Sequence, residues 1–419
     1  MHLDICVDLN KYAQGRLAVR ADVQAGPGEH AFTLAALSVG NGVSVTGWRV
    51  TGGESRAAGP QVSVTGAAFT LSYQVEVRHG ACLGSSKDTD LIYPFLNANE
   101  VFFGTGLLPV PQEACTAAFR LAGLPAGWAE YSSLTPGGMH GDKLSAFFCY
   151  CAPAAAPAEH AWRGQRQEVK FRVLKQRGRA LPVTEQALFD FFDGYMGWLE
   201  SSLAPYQRAG EINLLILQAP ADFSALGGGR SFATGENVLN GIACYAPDDA
   251  AYLQSYFGFS TYAQYLYEGL AHELMHFYTS AAHEAREKSV LYPAPGCPAY
   301  ATRLLGEALN NYFYSGYVSR QVPEACGSFE NWLSRANSRR EKTGARQPFL
   351  DLQELDEYLR AHGSSLLALF REMVLSRLND RRPYSSAAFL FETMRASLHL
   401  EPPAALEKAI LSEGTLFTI

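Results

Sequence analysis

Apolar and polar residues alternate at every second position through much of the first 165 residues. Examples are "RLAVRADVQ" (16–24), "QVSVTGAAFTLSYQVEVRH" (61–79) and "SAFFCYCAP" (145–153), a period that predicts β-strands. Glycine-rich breaks such as "GNG", "TGG" and "PGG" separate these runs and predict turns. The stretch "AAAPAEHAWRGQ" (154–165) has no strong period and reads as a junction. Beyond it "EVKFRVLK" (168–175) and "EINLLILQA" (211–219) predict strands. Between them "TEQALFDFFDGYMGWLESSLAPY" (184–206) predicts an amphipathic helix with Thr184 as N-cap. From about residue 260 onward helical spacing dominates. The expected organisation is a β-sandwich-like N-terminal domain, 1–165, followed by an α+β, mainly helical domain, 166–419.

Composition narrows the class. Over 419 residues, 47% hydrophobic and 18% charged content describe a globular chain. A net charge of -7 gives no reason to expect nucleic acid as a partner, since that usually needs a basic face. No segment approaches eighteen uninterrupted apolar residues, so no membrane span is expected. The start "MHLDICVDLN" has no basic flank leading into an apolar run. The eight cysteines, at 6, 82, 115, 149, 151, 244, 297 and 326, form no CxxC pair. They read as reduced, buried thiols in a cytoplasmic protein, with disulfides as the alternative.

One stretch carries chemistry. In "YEGLAHELMHFYTSAAHE" (267–284), His272 and His276 stand four residues apart with Glu273 between them. On a helix the two imidazoles share a face and can meet one metal ion, with Glu273 beside it as a proton acceptor. The competing reading is two ordinary helical histidines. A catalytic zinc wants three protein ligands, and Glu307, in the apolar and aromatic run "YATRLLGEALNNYFYSGY" (300–317), is the candidate third. A carboxylate there is costly unless paired or metal-bound; exposure on a narrow polar face is the alternative. Asn310 and Asn311, one turn on, are candidates for hydrogen-bonding a ligand.

His-Glu-x-x-His followed by a Glu on a second helix resembles the gluzincin metallopeptidases. Thirty residues separate His276 from Glu307, and "YATRLLGEALNNYF" is similar to the corresponding helix of the glycyl aminopeptidase family. The leucyl-type aminopeptidase and leukotriene hydrolase group is a second match. The resemblance implies a thermolysin-like catalytic domain, one Zn²⁺ held by His272, His276 and Glu307, and Glu273 as base. In "RPYSSAAFLFETMR" (382–395) it also implies that Tyr384 steadies an oxyanion. "GLPAGWAEYSSL" (123–134) is similar to a turn of the preceding β-domain.

The implied activity is hydrolysis of small peptides by an aminopeptidase-like enzyme. A zinc-containing peptide-binding relative with little turnover and an endopeptidase are the alternatives. The family's amine-anchoring strand corresponds to "ALGGGRSFATGENVLN" (225–240). One register places Arg230 or Ser231 at the anchor position, and the other places Glu236 and Asn237 there, with Gly228 and Gly229 lining the substrate. A Gly-rich turn before an edge strand explains the same residues. Three departures from the family are Ala308 after Glu307, the absence of its Trp-Asn-x-Lys-Arg segment, and the 35 residues after Tyr384. That tail is too short for the C-terminal module many relatives append. His283, in place of the missing segment, reads as a solvated helix-end residue or as a group facing the site. Oligomeric state is not readable.

Overall fold

In a computed structural model the structure describes residues 1–34, 41–58, 61–84, 91–92, 94–113, 115–132, 139–141, 148–153, 157–176, 180–205, 210–218, 236–238, 241–246, 260–279, 299–344, 347–380 and 386–411. Contacts within the chain divide it into two compact units. One comprises Met1–Glu159, Phe171–Ala180 and Glu211–Asp249; the other comprises His160–Lys170, Leu181–Gly210 and Ala250–Ile419. The chain therefore enters the first unit three times.

The first unit is built of sheets. Its largest runs, in spatial order, Met139–Gly141, Cys115–Ala122, His2–Asp8, Arg16–Gln24, Ala68–Gly84 and Asn41–Thr51. The central pairings are antiparallel, apart from the parallel pair His2–Asp8 and Cys115–Ala122. Arg16–Gln24 alternates as its sequence predicts, with Leu17, Val19, Ala21 and Val23 buried and the residues between them turned outward. A second sheet pairs Phe148–Pro153 with Glu100–Gly104 and Trp128–Ser132. There Cys149 and Cys151 are fully buried on one face, their thiols in contact at 3.6 Å. Among the described residues the free cysteines are 6, 115, 149, 151 and 326. A further sheet places Glu211–Gln218 beside Gly241–Ala246 in parallel, with Glu236–Val238 antiparallel at its edge.

The second unit is mainly helical. Thr184 caps the helix Glu185–Ser202, its hydroxyl accepting from the Ala187 amide, which satisfies one of the orphan donors of the first turn. The junction stretch contains a strand, Ala158–Arg163, in which Trp162 is buried and His160 stacks on Phe189. With alternation over so few residues it leaves little periodic signal. Helices Tyr262–Thr279 and Ala299–Gln321 pack against each other, and Leu266, Leu270, Leu274, Leu309 and Phe313 of the pair are buried. Asp356 ties the next helices to them. It accepts from the Tyr312 hydroxyl at 2.9 Å, from Arg360 at 2.8 Å and from the Leu366 amide at 2.6 Å. Among the described residues no helix is long and apolar enough to cross a membrane.

Candidate metal centre

Tyr262–Thr279 carries polar residues at every fourth position, Gln264, Glu268, His272 and His276, with Glu273 and Thr279 beside that stripe. Spacing of four keeps successive members on neighbouring parts of one face. The facing helix, Ala299–Gln321, presents Glu307, Asn310, Asn311 and Tyr314 at offsets of three, four and seven, again one face.

The two faces meet at His272, His276 and Glu307, whose ligating atoms lie within 4.8 Å of one another. His272 Nε2 is 2.9 Å from His276 Nε2 and 3.2 Å from Glu307 Oε2; His276 Nε2 is 3.6 Å from Glu307 Oε1. Tetrahedral zinc holds N and O donors at about 2.0–2.1 Å, which sets them about 3.3 Å apart. The three separations bracket that edge. Two imidazoles and a carboxylate are also the donor types borderline-soft zinc accepts in catalytic sites. The geometry and the chemistry fit the ion.

Glu273 is 3% exposed, with Oε1 3.9 Å from His272 Nε2, beside the point where the three donors converge. Glu307 is half-buried, neither deep in the core nor on an open face. Burial pushes the His272 pKa down, but the Glu307 hydrogen bond and charge, the Glu273 charge and a hydrogen bond with Asn311 outweigh it and raise it to about 9. The ring of His272 also meets Tyr314 edge-on, with centroids 5.6 Å apart. Asn310, completely buried, reaches the His272 carbonyl. Sequence reasoning thus named both asparagines. It missed Thr279, Tyr314 and the buried Gln264–Glu268 pair, although the four-residue polar stripe contained the signal for that pair.

Of the other sequence-predicted positions, Glu236 opens the edge strand Glu236–Val238, paired opposite Ala243. Tyr384, Gly228, Gly229, Arg230, Ser231 and His283 lie outside the described residues.

The chain shares its fold with the M1 zinc metallopeptidases and the aminopeptidase N group. It superposes on an M1 zinc metallopeptidase from Deinococcus radiodurans with a TM-score of 0.57 at 12% identity, covering 99% of this chain and 94% of that one. An aminopeptidase N family protein from Idiomarina loihiensis gives a TM-score of 0.59 at 10% identity, covering 99% and 77%. Aminopeptidase A of Legionella pneumophila, solved with aspartic acid, gives 0.58 at 10% identity; this chain spans 49% of it. These likenesses define a β-rich region followed by a helical region. No protein-family model and no curated protein matches the sequence.

Proposed function

We propose that the protein is a zinc-dependent peptidase acting on small peptides in the manner of an aminopeptidase. The observation that carries this reading is the convergence of His272, His276 and Glu307 at tetrahedral spacing with Glu273 alongside. Likeness in fold to M1 peptidases supports it. One of these neighbours, a variant of the Deinococcus enzyme, was solved with a Tyr-Ser-Ala substrate. Residues 166–419 are the proposed thermolysin-like catalytic segment, and the glycyl aminopeptidase family is the proposed closer kinship.

His272, His276 and Glu307 would hold one zinc ion. When bound, zinc supplies Lewis acidity, acidifying water toward neutral pH and polarising a carbonyl. Glu273 takes a proton from the attacking water and returns it to the leaving amine nitrogen. Its burial keeps that carboxylate out of bulk solvent, where its charge acts over short range at full strength. Tyr384 is proposed to donate its hydroxyl to the oxyanion, and Gly228, Gly229 and Glu236 to line the substrate. Asn311 holds the His272 ring through the hydrogen bond described above, fixing its orientation.

The test is metal content of the purified chain, followed by hydrolysis of fluorogenic peptides with free and N-acetylated amino termini. Stoichiometric zinc with cleavage of free amines alone is expected. Cleavage of blocked peptides would make the enzyme an endopeptidase. Zinc without turnover would favour a peptide-binding relative, the reading suggested by the register that puts Arg230 or Ser231 at the amine-anchor position. A chain that takes up no zinc overturns the proposal.

A further inference from the structure

Thr279 and Asn310 occupy matching places in the two site helices. Thr279 follows His276 by three residues and Asn310 follows Glu307 by three, so each lies one turn beyond a metal donor on the same face. Both are shut off from solvent, at 1% and 0% exposure. Thr279 Oγ1 hydrogen-bonds Asn310 Oδ1, and Asn310 Nδ2 reaches the His272 carbonyl at 3.5 Å. The single hydroxyl proton of Thr279 has a second acceptor, the Met275 carbonyl at 3.3 Å. Both oxygens only accept, but the Met275 carbonyl already takes a hydrogen bond in the helical ladder, so the hydroxyl proton satisfies more by bonding Asn310 Oδ1. The proton is therefore directed across the gap between helices.

We propose that Thr279 and Asn310 form a clamp that positions the metal donors, setting the separation and rotation of the His272/His276 helix against the Glu307 helix. This rests on the zinc reading above. One amide touches the first helix at two points seven residues apart, on either side of His276, so it resists both sliding and rolling of that helix. The geometric demand is tight: zinc–donor distances hold within about 0.2 Å, and the donors come from separate helices. The long Asn310–His272 contact alone is weak, which leaves the Thr279 hydroxyl as the strong half of the clamp. Without it, Asn310 Oδ1 is a buried acceptor lacking that donor, and the amide is free to turn.

The experiment measures zinc affinity by competition with a chromophoric chelator, and the visible spectrum of the Co²⁺-substituted protein. It compares the full chain with Thr279→Val, Thr279→Ser and Asn310→Ala. Thr279→Val keeps shape and removes the hydroxyl. It is expected to weaken zinc about 10–100-fold, the size typical of losing a group that orients a ligand, and to alter the Co²⁺ bands. Thr279→Ser is expected to restore both. A purely structural role would lower the thermal midpoint of the metal-free protein and leave affinity and spectrum unchanged, and that result overturns the clamp while sparing the zinc reading. If the unsubstituted chain holds no zinc, the zinc reading fails and the clamp with it. Should Thr279→Val not fold, Asn310→Ala is judged on the same two measurements.

Discussion

Replacing Glu268 by Gln is expected to stabilise the protein above neutral pH and to leave it nearly unchanged near pH 5. Glu268 is 1% exposed. Its Oε1 accepts from Gln264 Nε2 at 2.7 Å, and its Oε2 is buried without a hydrogen-bond partner. Burial raises its pKa, and the Gln264 hydrogen bond and the charge of Arg335 offset this only partly, leaving it at about 8 against 4.5 for the free side chain. Below the lower value both folded and unfolded chains hold the proton, and no pH dependence arises. Between the two values the unfolded chain releases it and the folded chain keeps it, so stability falls as pH rises. At about 1.36 kcal/mol per pKa unit, the full loss by pH 8 is about 3–5 kcal/mol. A glutamine side chain fills the same space, still accepts from Gln264, and carries no proton to lose. Urea unfolding of both chains in chelator, across pH 5 to 8.5, measures the difference directly. The substituted chain should gain on the original by several kcal/mol along that range. Parallel curves would show that Glu268 ionises normally or finds a counter-charge, and the reasoning from burial would fail.

Glu273→Gln should retain zinc and lower turnover by about 10²–10⁴-fold, the usual loss with a general base; full activity would place the base elsewhere. Glu307→Ala should lose zinc on dialysis, read by elemental assay, whereas a stoichiometric content would remove Glu307 from the ligand set. At Gly194 an added Cβ would sit 2.7 Å from the Tyr317 hydroxyl, so Gly194→Ala should destabilise by about 1–3 kcal/mol. Tyr317→Phe should recover part of that in a double-mutant cycle; no recovery would mean the clash is not with the hydroxyl.

Much of the secondary structure was legible in the sequence because it rests on local rules. Strand Glu168–Lys175 and the helix after Thr184 follow from period and capping alone. His272, His276 and Glu273 were legible because one helix turn fixes their relations. The strand Glu54–Ala58 has every residue exposed, so it pairs through its backbone and leaves no hydrophobic period to read. Glu307 stood out as a carboxylate in an apolar and aromatic run, but that it faces the histidines is a matter of helix packing that no local rule fixes. Thr279 looked like any helix-end threonine. Its role depends on where a residue 31 positions away crosses it, a fact of helix packing that no window of sequence contains.

Packing also decides what zinc removal should do. Each site helix also has an apolar face turned away from the histidines and Glu307, with Leu266, Leu270 and Leu274 buried on one helix and Leu309, Tyr312 and Phe313 on the other; Tyr312 and Phe313 meet Phe349 and Phe370 of the helices Pro348–Ala361 and Leu366–Asp380. At about 1.5–3 kcal/mol for each such side chain, this burial anchors each helix in the core independently of the proposed ion. In a zinc finger the ion supplies folding itself, and the metal-free chain unfolds; here the apolar faces form the scaffold and the ion joins it. The metal-free protein should therefore keep its far-ultraviolet circular dichroism, lose activity, and regain activity on adding zinc without a slow refolding phase. Loss of helical signal in step with zinc release would show that the ion, not the burial of Leu270 and its neighbours, keeps the helices folded.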